Sequence, residues 1–134
     1  MLAKCKEIKV LDLSGNSALT DTTLSAMSKG RKLVYLILVV NANHEPLGPE
    51  NLKELKLNSL ELITDNALLK LLILNKGLEK LELCKCSLIE DNILTGVTNT
   101  LICLRIIDIN WCPLITQEAI DKANRTRPAL RIIR

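Results

Sequence analysis

The sequence predicts an α/β solenoid with parallel strands on a concave side, helices on a convex side, about five units, and the second unit shortened. Two observations point to it: an aliphatic frame recurs along the 134 residues, and the second half of each unit recurs with it. Composition agrees. Hydrophobic residues make up 48% of the chain, yet there is no Phe, one Tyr and one Trp. A core of many similar aliphatic side chains is what stacked repeats build.

The frame is L-x-x-L-x-L, beginning at Ile8, Leu33, Leu52, Leu78 and Leu104, with half of another at Leu130; the starts are 25, 19, 26, 26 and 26 residues apart. Within it, alternation of period two reads as a short strand whose leucines point inward. The second halves, NSALTDTTL from Asn16, LELITDNAL from Leu60, CSLIEDNIL from Cys86 and CPLITQEAI from Cys112, align without gaps. In each, an apolar residue turns inward, and Thr or Asp precedes a helical stretch as an N-cap. Asp21, Asp65 and Asp91 fall at helix starts, where a carboxylate complements the helix dipole. Gly30 and Gly77 stand where two helices are expected to end, in left-handed backbone that glycine adopts without a Cβ penalty.

One strand-turn-helix unit cannot bury its own leucines, so neighbours stack, strands pair in parallel and helices line the other side. The ninth position of a unit sits at the turn leaving the strand and holds Asn16, Asn41, Cys86 or Cys112. An Asn amide there satisfies loop backbone groups, and a thiol packs while acting as a weak donor. In the third unit this place is Leu60, which only packs.

The second unit breaks the pattern. Its helix half is replaced by NANHEPLGPEN, a loop by its Asn, Pro and Gly content. It reads either as a tolerated shortening or as a projecting loop used for contact. The whole of 1–134 reads as a single domain, and neither end carries the polar cap a solenoid needs. Three explanations stand: the sequence is part of a longer chain, a neighbouring protein covers the ends, or Lys4, Lys6, Lys9, Arg131 and Arg134 blunt the exposed edges.

LEKLELCKCSLIEDNIL and LRIIDINWCPLITQEAI, between Leu78 and Ile120, resemble the unit L-x-x-L-x-L-x-x-C-x-x-I-T-D-x-x-L of the cysteine-containing leucine-rich repeats. These are found in F-box/leucine-rich-repeat proteins and their ribonuclease-inhibitor-like relatives. The resemblance covers nearly the whole chain. It implies a leucine-rich-repeat solenoid and a protein-binding role, since family members recruit substrates to ubiquitin ligases or serve as structural subunits of large assemblies such as the ciliary axoneme. Nothing before Ile8 has room for an F-box.

Charge narrows the partners. With 18 basic and 15 acidic residues interspersed, the net charge of +3 describes a mixed solvated surface and not a nucleic-acid stripe. Five cysteines, an odd number without disulfide-dense spacing, indicate a reducing compartment: cytoplasmic, or cytoskeletal or nuclear. Lys4, Lys6, Glu7 and Lys9 interrupt the apolar residues at the start, unlike a secretory signal. The most apolar stretches, 33–40 and 67–75, are too short to cross a bilayer, so no membrane insertion is expected.

Residues between the inward leucines face the concave surface, and partner-binding candidates are drawn from them: Tyr35, Ile37, Val39, Lys56, Glu82, Ile106, Asp108 and Trp111. Tyr35 and Trp111 are the only aromatics, a residue type enriched at binding hot spots. The second unit would present an apolar patch of Val34, Tyr35, Ile37, Val39 and Val40, which either meets a partner or lies under its own loop. Lys and Glu interleave in the central units, where they can satisfy one another across strands.

No catalytic or metal site is expected, and no cofactor. Cys84, Cys86 and Cys112 are the nearest approach to zinc ligands, but their positions suit packing. His44, the one histidine, lies in the irregular loop without a nucleophile beside it. The five glycines are isolated, so there is no phosphate-binding loop. The chain therefore reads as a non-catalytic protein–protein interaction module, foremost an architectural subunit of a multiprotein complex. Its alternative is the substrate-recognition module of a ubiquitin ligase of the F-box kind. Partners are expected on the concave face and at the uncapped ends.

Overall fold

The computed structural model describes residues 9–16, 19–24, 52–73 and 75–134. In chain order these form β1 (Val10–Asp12), β2 (Glu54–Lys56), α1 (Asp65–Leu72), β3 (Lys80–Glu82), α2 (Asn92–Thr100), β4 (Ile106–Asp108), α3 (Gln117–Thr126) and β5 (Arg131–Ile133), with a helical turn at 21–24. The strands make one parallel sheet ordered β1-β2-β3-β4-β5. Parallel neighbours need a crossover; α1, α2 and α3 supply it between the last four strands, and α2 packs between α1 and α3.

Each strand is three residues long because only its middle residue must point inward. Leu11, Leu55, Leu81 and Ile107 stand side by side in register and are buried, the last three completely. Leu13, Leu57, Leu83 and Ile109 repeat the layer one step on. The helices close it from the other side with residues such as Leu68, Leu71, Ile93, Val97 and Ile120. Truncating one of the central leucines to Ala is worth about 2–5 kcal/mol in a core packed this way. Gly96 of α2 matters for the same packing: a Cβ there would run into the methyl groups of Leu69 on α1.

Three sequence expectations are corrected. First, β1 pairs directly with β2, Val10 beside Glu54 and Asp12 beside Lys56, leaving no place between them for a strand from Leu33. The step between the two strands is then 44 residues, and the 33–52 unit itself lies outside the described residues, as do Tyr35, Ile37, Val39, Gly30, Asn41 and His44. Second, α1 ends at Leu72 with Ile73 in right-handed backbone, and Gly77 lies further on. The carbonyl of Leu71 is satisfied by the side-chain amide of buried Asn75 at 3.0 Å, so no left-handed glycine is required. Third, the last unit is one residue short: Ile132, not Ile133, stands beside Ile107 and packs on the core, and Ile133 stands beside Asp108. Register follows the inward side chain that reaches the core; Leu130 is buried at the preceding turn as Leu104 is, so the shift arises between Leu130 and Ile132.

The aspartates do something other than serve their own helices. Asp21 accepts the backbone N–H and the hydroxyl of Thr64, at 2.7 and 2.5 Å. Asp65 accepts the N–H groups of Glu90 and Ile93, and Asp91 those of Thr116 and its hydroxyl. Each carboxylate thus binds the helix start of the following unit. Of the expected N-caps, Thr116 accepts from its own helix at Ala119, whereas Thr64 and Asp91 make no such bond. Arg127 adds a staple at the other end, its guanidinium donating to the carbonyls of Leu101, Ile102 and Leu104 just past the end of α2. A cation there meets the negative pole of the helix.

Candidate functional site

The sheet face opposite the core is built by the alternate residues of the strands. Glu54, Lys56, Lys80 and Glu82 all lie on it, half-buried. Lys80 reaches Glu54 and Glu82 at 2.8 Å each, and Lys56 reaches the same two carboxylates at 3.7 Å. Asn58 donates to the other oxygen of Glu82 and accepts from the N–H of Cys84. Lys80 beside Glu82 holds that carboxyl below its usual range, while Glu54 and Glu82 hold the Lys80 ammonium above its own. Two of the candidate partner residues, Lys56 and Glu82, are therefore committed to a cross-strand lattice.

The lattice stops at β4. Ile106 occupies the place of Lys80, and Asp108 accepts the N–H and amide of Asn110 at 3.0 and 2.8 Å. Just outside the strands, Lys53 pairs with Glu79 at 3.1 Å. Next along that hydrogen-bonded row come Arg105 and then Arg131, two cations in succession, both exposed. Neither has an acidic partner within ion-pairing distance among the described residues.

Where each of the first four strands leaves the sheet, one residue turns left-handed: Gly15, Ser59, Lys85 and Trp111, with φ between 58° and 69°. The N–H groups of the first three each bond the next unit, at the carbonyls of Asn58, Cys84 and Asn110. A turn that must offer its N–H sideways fixes this backbone, and only at Gly15 is the residue type free of its cost, about 1–2 kcal/mol for others. Trp111 bears that cost with its ring 78% exposed. It lines a shallow cleft with Asn110, Pro113 and Arg134.

Three residues beyond the last three of these turns, Leu62, Leu88 and Leu114 recur at the same offset and are 41–54% exposed. Together with Trp111 they make an apolar band along the turns. The sequence reading missed the three leucines, although their spacing of 26 residues was available. The missed signal is an apolar residue held in a loop position that the inward frame does not use.

The cysteines at the ninth position behave as expected of buried weak donors. Cys86 donates to the carbonyl of Leu57 at 3.2 Å and Cys112 to that of Leu83 at 2.9 Å. Burial raises both thiols, Cys86 to about 11, and burial together with Asp108 raises Cys84 to about 12. As thiols rather than thiolates they hold neighbouring units together. Among the described residues no three His, Cys, Asp or Glu side chains converge as a metal site, and no helix is long and apolar enough to cross a membrane.

Comparison with protein-family models and with curated proteins returned no match.

Proposed function

We propose that the chain is a leucine-rich-repeat solenoid of the cysteine-containing subtype that works as a non-catalytic protein–protein interaction module, an architectural subunit of a multiprotein assembly in a reducing compartment. The observation that carries this is the exposed apolar band of Leu62, Leu88, Leu114 and Trp111. Isolated exposed hydrophobics are ordinary, but a row in repeat register with an aromatic beside it is the kind of surface that a partner covers. Trp111 strengthens the reading. Its position tolerates Gly, Ser and Lys in the other units, so the backbone does not ask for an indole there.

The repeat spacing, the thiol ladder and the carboxylates that bind following units support the solenoid. They describe units that depend on nearest neighbours for their stability. Within this reading, Ile106, Asp108 and Trp111 lie at the end of the sheet where a partner meets unpaired groups, and Lys56 and Glu82 lie in the neutral lattice beside it.

Affinity capture of the native protein from its source, followed by mass spectrometry and sizing, tests the role. An assembly of fixed stoichiometry is expected. Recovery of ligase adaptors with substoichiometric clients would replace this reading by substrate recruitment, and recovery of the monomer alone would remove both.

A further inference from the structure

The charge pattern of the sheet changes at β4. On β2 and β3 every charged side chain of the outward face has an opposite partner. A second row begins the same way with Lys53, Glu79 and then Arg105, and Arg131, the first residue of β5, donates its N–H to the Arg105 carbonyl and stands beside Ile106. Two exposed arginines thus sit on neighbouring chain segments with no acidic partner within ion-pairing distance among the described residues.

Apolar groups follow them along the same pair of strands. Arg131 stands beside Ile106 in register, then Ile133 beside Asp108, and the strip ends at Trp111. Asp108 is the one carboxylate within the strip, and it is engaged by Asn110. From the start of the strands to their turns the order is thus cations, aliphatic side chains, exposed indole.

We infer that the β4–β5 strip is the docking site for an acidic segment of a partner protein, one that places carboxylates against Arg105 and Arg131 and an apolar side chain against Ile106 and Trp111. The inference rests on the proposed interaction role and names the chemistry of the partner. Arginine is suited to it, since the planar guanidinium takes a carboxylate through two parallel hydrogen bonds. Charge complementarity would draw the segment in, and the apolar contacts would retain it.

Trp111 is the only tryptophan of the chain, so its emission reports on the strip directly. The full chain is titrated with a short synthetic peptide carrying two leucines among glutamates, and with versions in which the glutamates are glutamine or lysine. Saturable blue-shifted emission is expected with the glutamate peptide alone. Its affinity should fall as salt is raised and drop by about tenfold or more in R105E/R131E, with partial retention in R105K/R131K. Far-ultraviolet circular dichroism of both variants establishes that the fold persists, and the exposed positions make that the expected result. Equal response to the glutamine or lysine peptide, or no response to any, overturns the inference. So does self-association of the chain that R105E/R131E abolishes, which would make a second copy the occupant. Capture of the native assembly with R105E/R131E separates the two levels: an intact assembly despite lost peptide binding leaves the interaction role standing and moves the partner off this strip.

Discussion

The carboxylate of Asp65 receives the backbone N–H of Ile93 at 2.9 Å, so a buried side chain of one unit completes the first helical turn of the next. Its other oxygen takes the N–H of Glu90 at 2.7 Å, and the residue is 5% exposed. Removing the acceptor takes from the N–H of Glu90 the carboxylate it donates to, and leaves that of Ile93 only its 3.2 Å bond to the Glu90 carbonyl. Asp65→Ala is expected to destabilise the chain by about 2–4 kcal/mol, given the strength of hydrogen bonds to charged groups and the cost of stranded donors. Asp65→Asn keeps one acceptor and turns an NH2 toward the other donor, so its loss should be smaller but still above about 1 kcal/mol. Urea unfolding measures both, and an Asp65→Ala variant as stable as the parent would show that the units do not depend on this bond.

Acid should expose the lattice. Glu82 is held below the usual carboxylate range, chiefly by its hydrogen bond with Lys80. Its folded state therefore binds a proton less readily than the unfolded chain, and the stability it contributes is present above about pH 4.5 and disappears as pH falls through the depressed value. Asp65 has the opposite sign: burial raises it, so the proton-linked part of its effect favours folding below about pH 3.8 and is lost as pH rises through the raised value, where its two hydrogen bonds are made against the cost of desolvating the carboxylate. The difference in urea midpoint between the parent and Glu82→Gln should shrink as pH is lowered through this range. The pairs are partly solvated, so the difference at neutral pH is expected to be about 1 kcal/mol or less and to weaken in high salt. A difference that grows in acid would contradict the assignment.

Cysteine reactivity separates packing from chemistry. Cys86 and Cys112 are buried donors with raised thiols, whereas Cys103 is exposed. Among the four described cysteines, iodoacetamide at neutral pH should alkylate Cys103 first and reach Cys86 and Cys112 only after unfolding, as peptide mapping by mass spectrometry would show. Cys112→Ala, which strands the carbonyl of Leu83 and leaves a small void, should cost about 1–2 kcal/mol. Prompt labelling of Cys86 or Cys112 in the folded chain would rule out their place in the core.

The strands and helices were legible because the inward residues repeat at fixed offsets and burial enforces them. Leu55, Leu81 and Ile107 lie where L-x-x-L-x-L puts them. What the frame does not contain is neighbour identity. The series Leu33, Leu38 reads as a unit in its turn, yet β1 is hydrogen-bonded to β2, a relation between segments 44 residues apart that local pattern does not carry. Likewise Asp65 reads as a helix-start residue in its own sequence context, and only the stacked arrangement puts the next helix within reach. The one-residue shift at Ile132 is also a matter of how β5 pairs with β4, which the local frame does not contain.

The candidate site was legible in part. Ile106, Asp108 and Trp111 follow from strand alternation, but pattern alone does not say that Lys56 and Glu82 are occupied by Glu54 and Lys80 while Arg105 and Arg131 have no ion-pair partner among the described residues. Nor does it give the left-handed turn at Trp111, which turns the ring outward beside the apolar band.

Hydroxyl-radical footprinting of the chain alone and in its native assembly tests the interaction surface most directly, with oxidation of Trp111, Leu62, Leu88 and Leu114 read by mass spectrometry. All four should oxidise readily in the free chain and be protected in the assembly. Equal oxidation of these residues in the two states would contradict a partner on this surface.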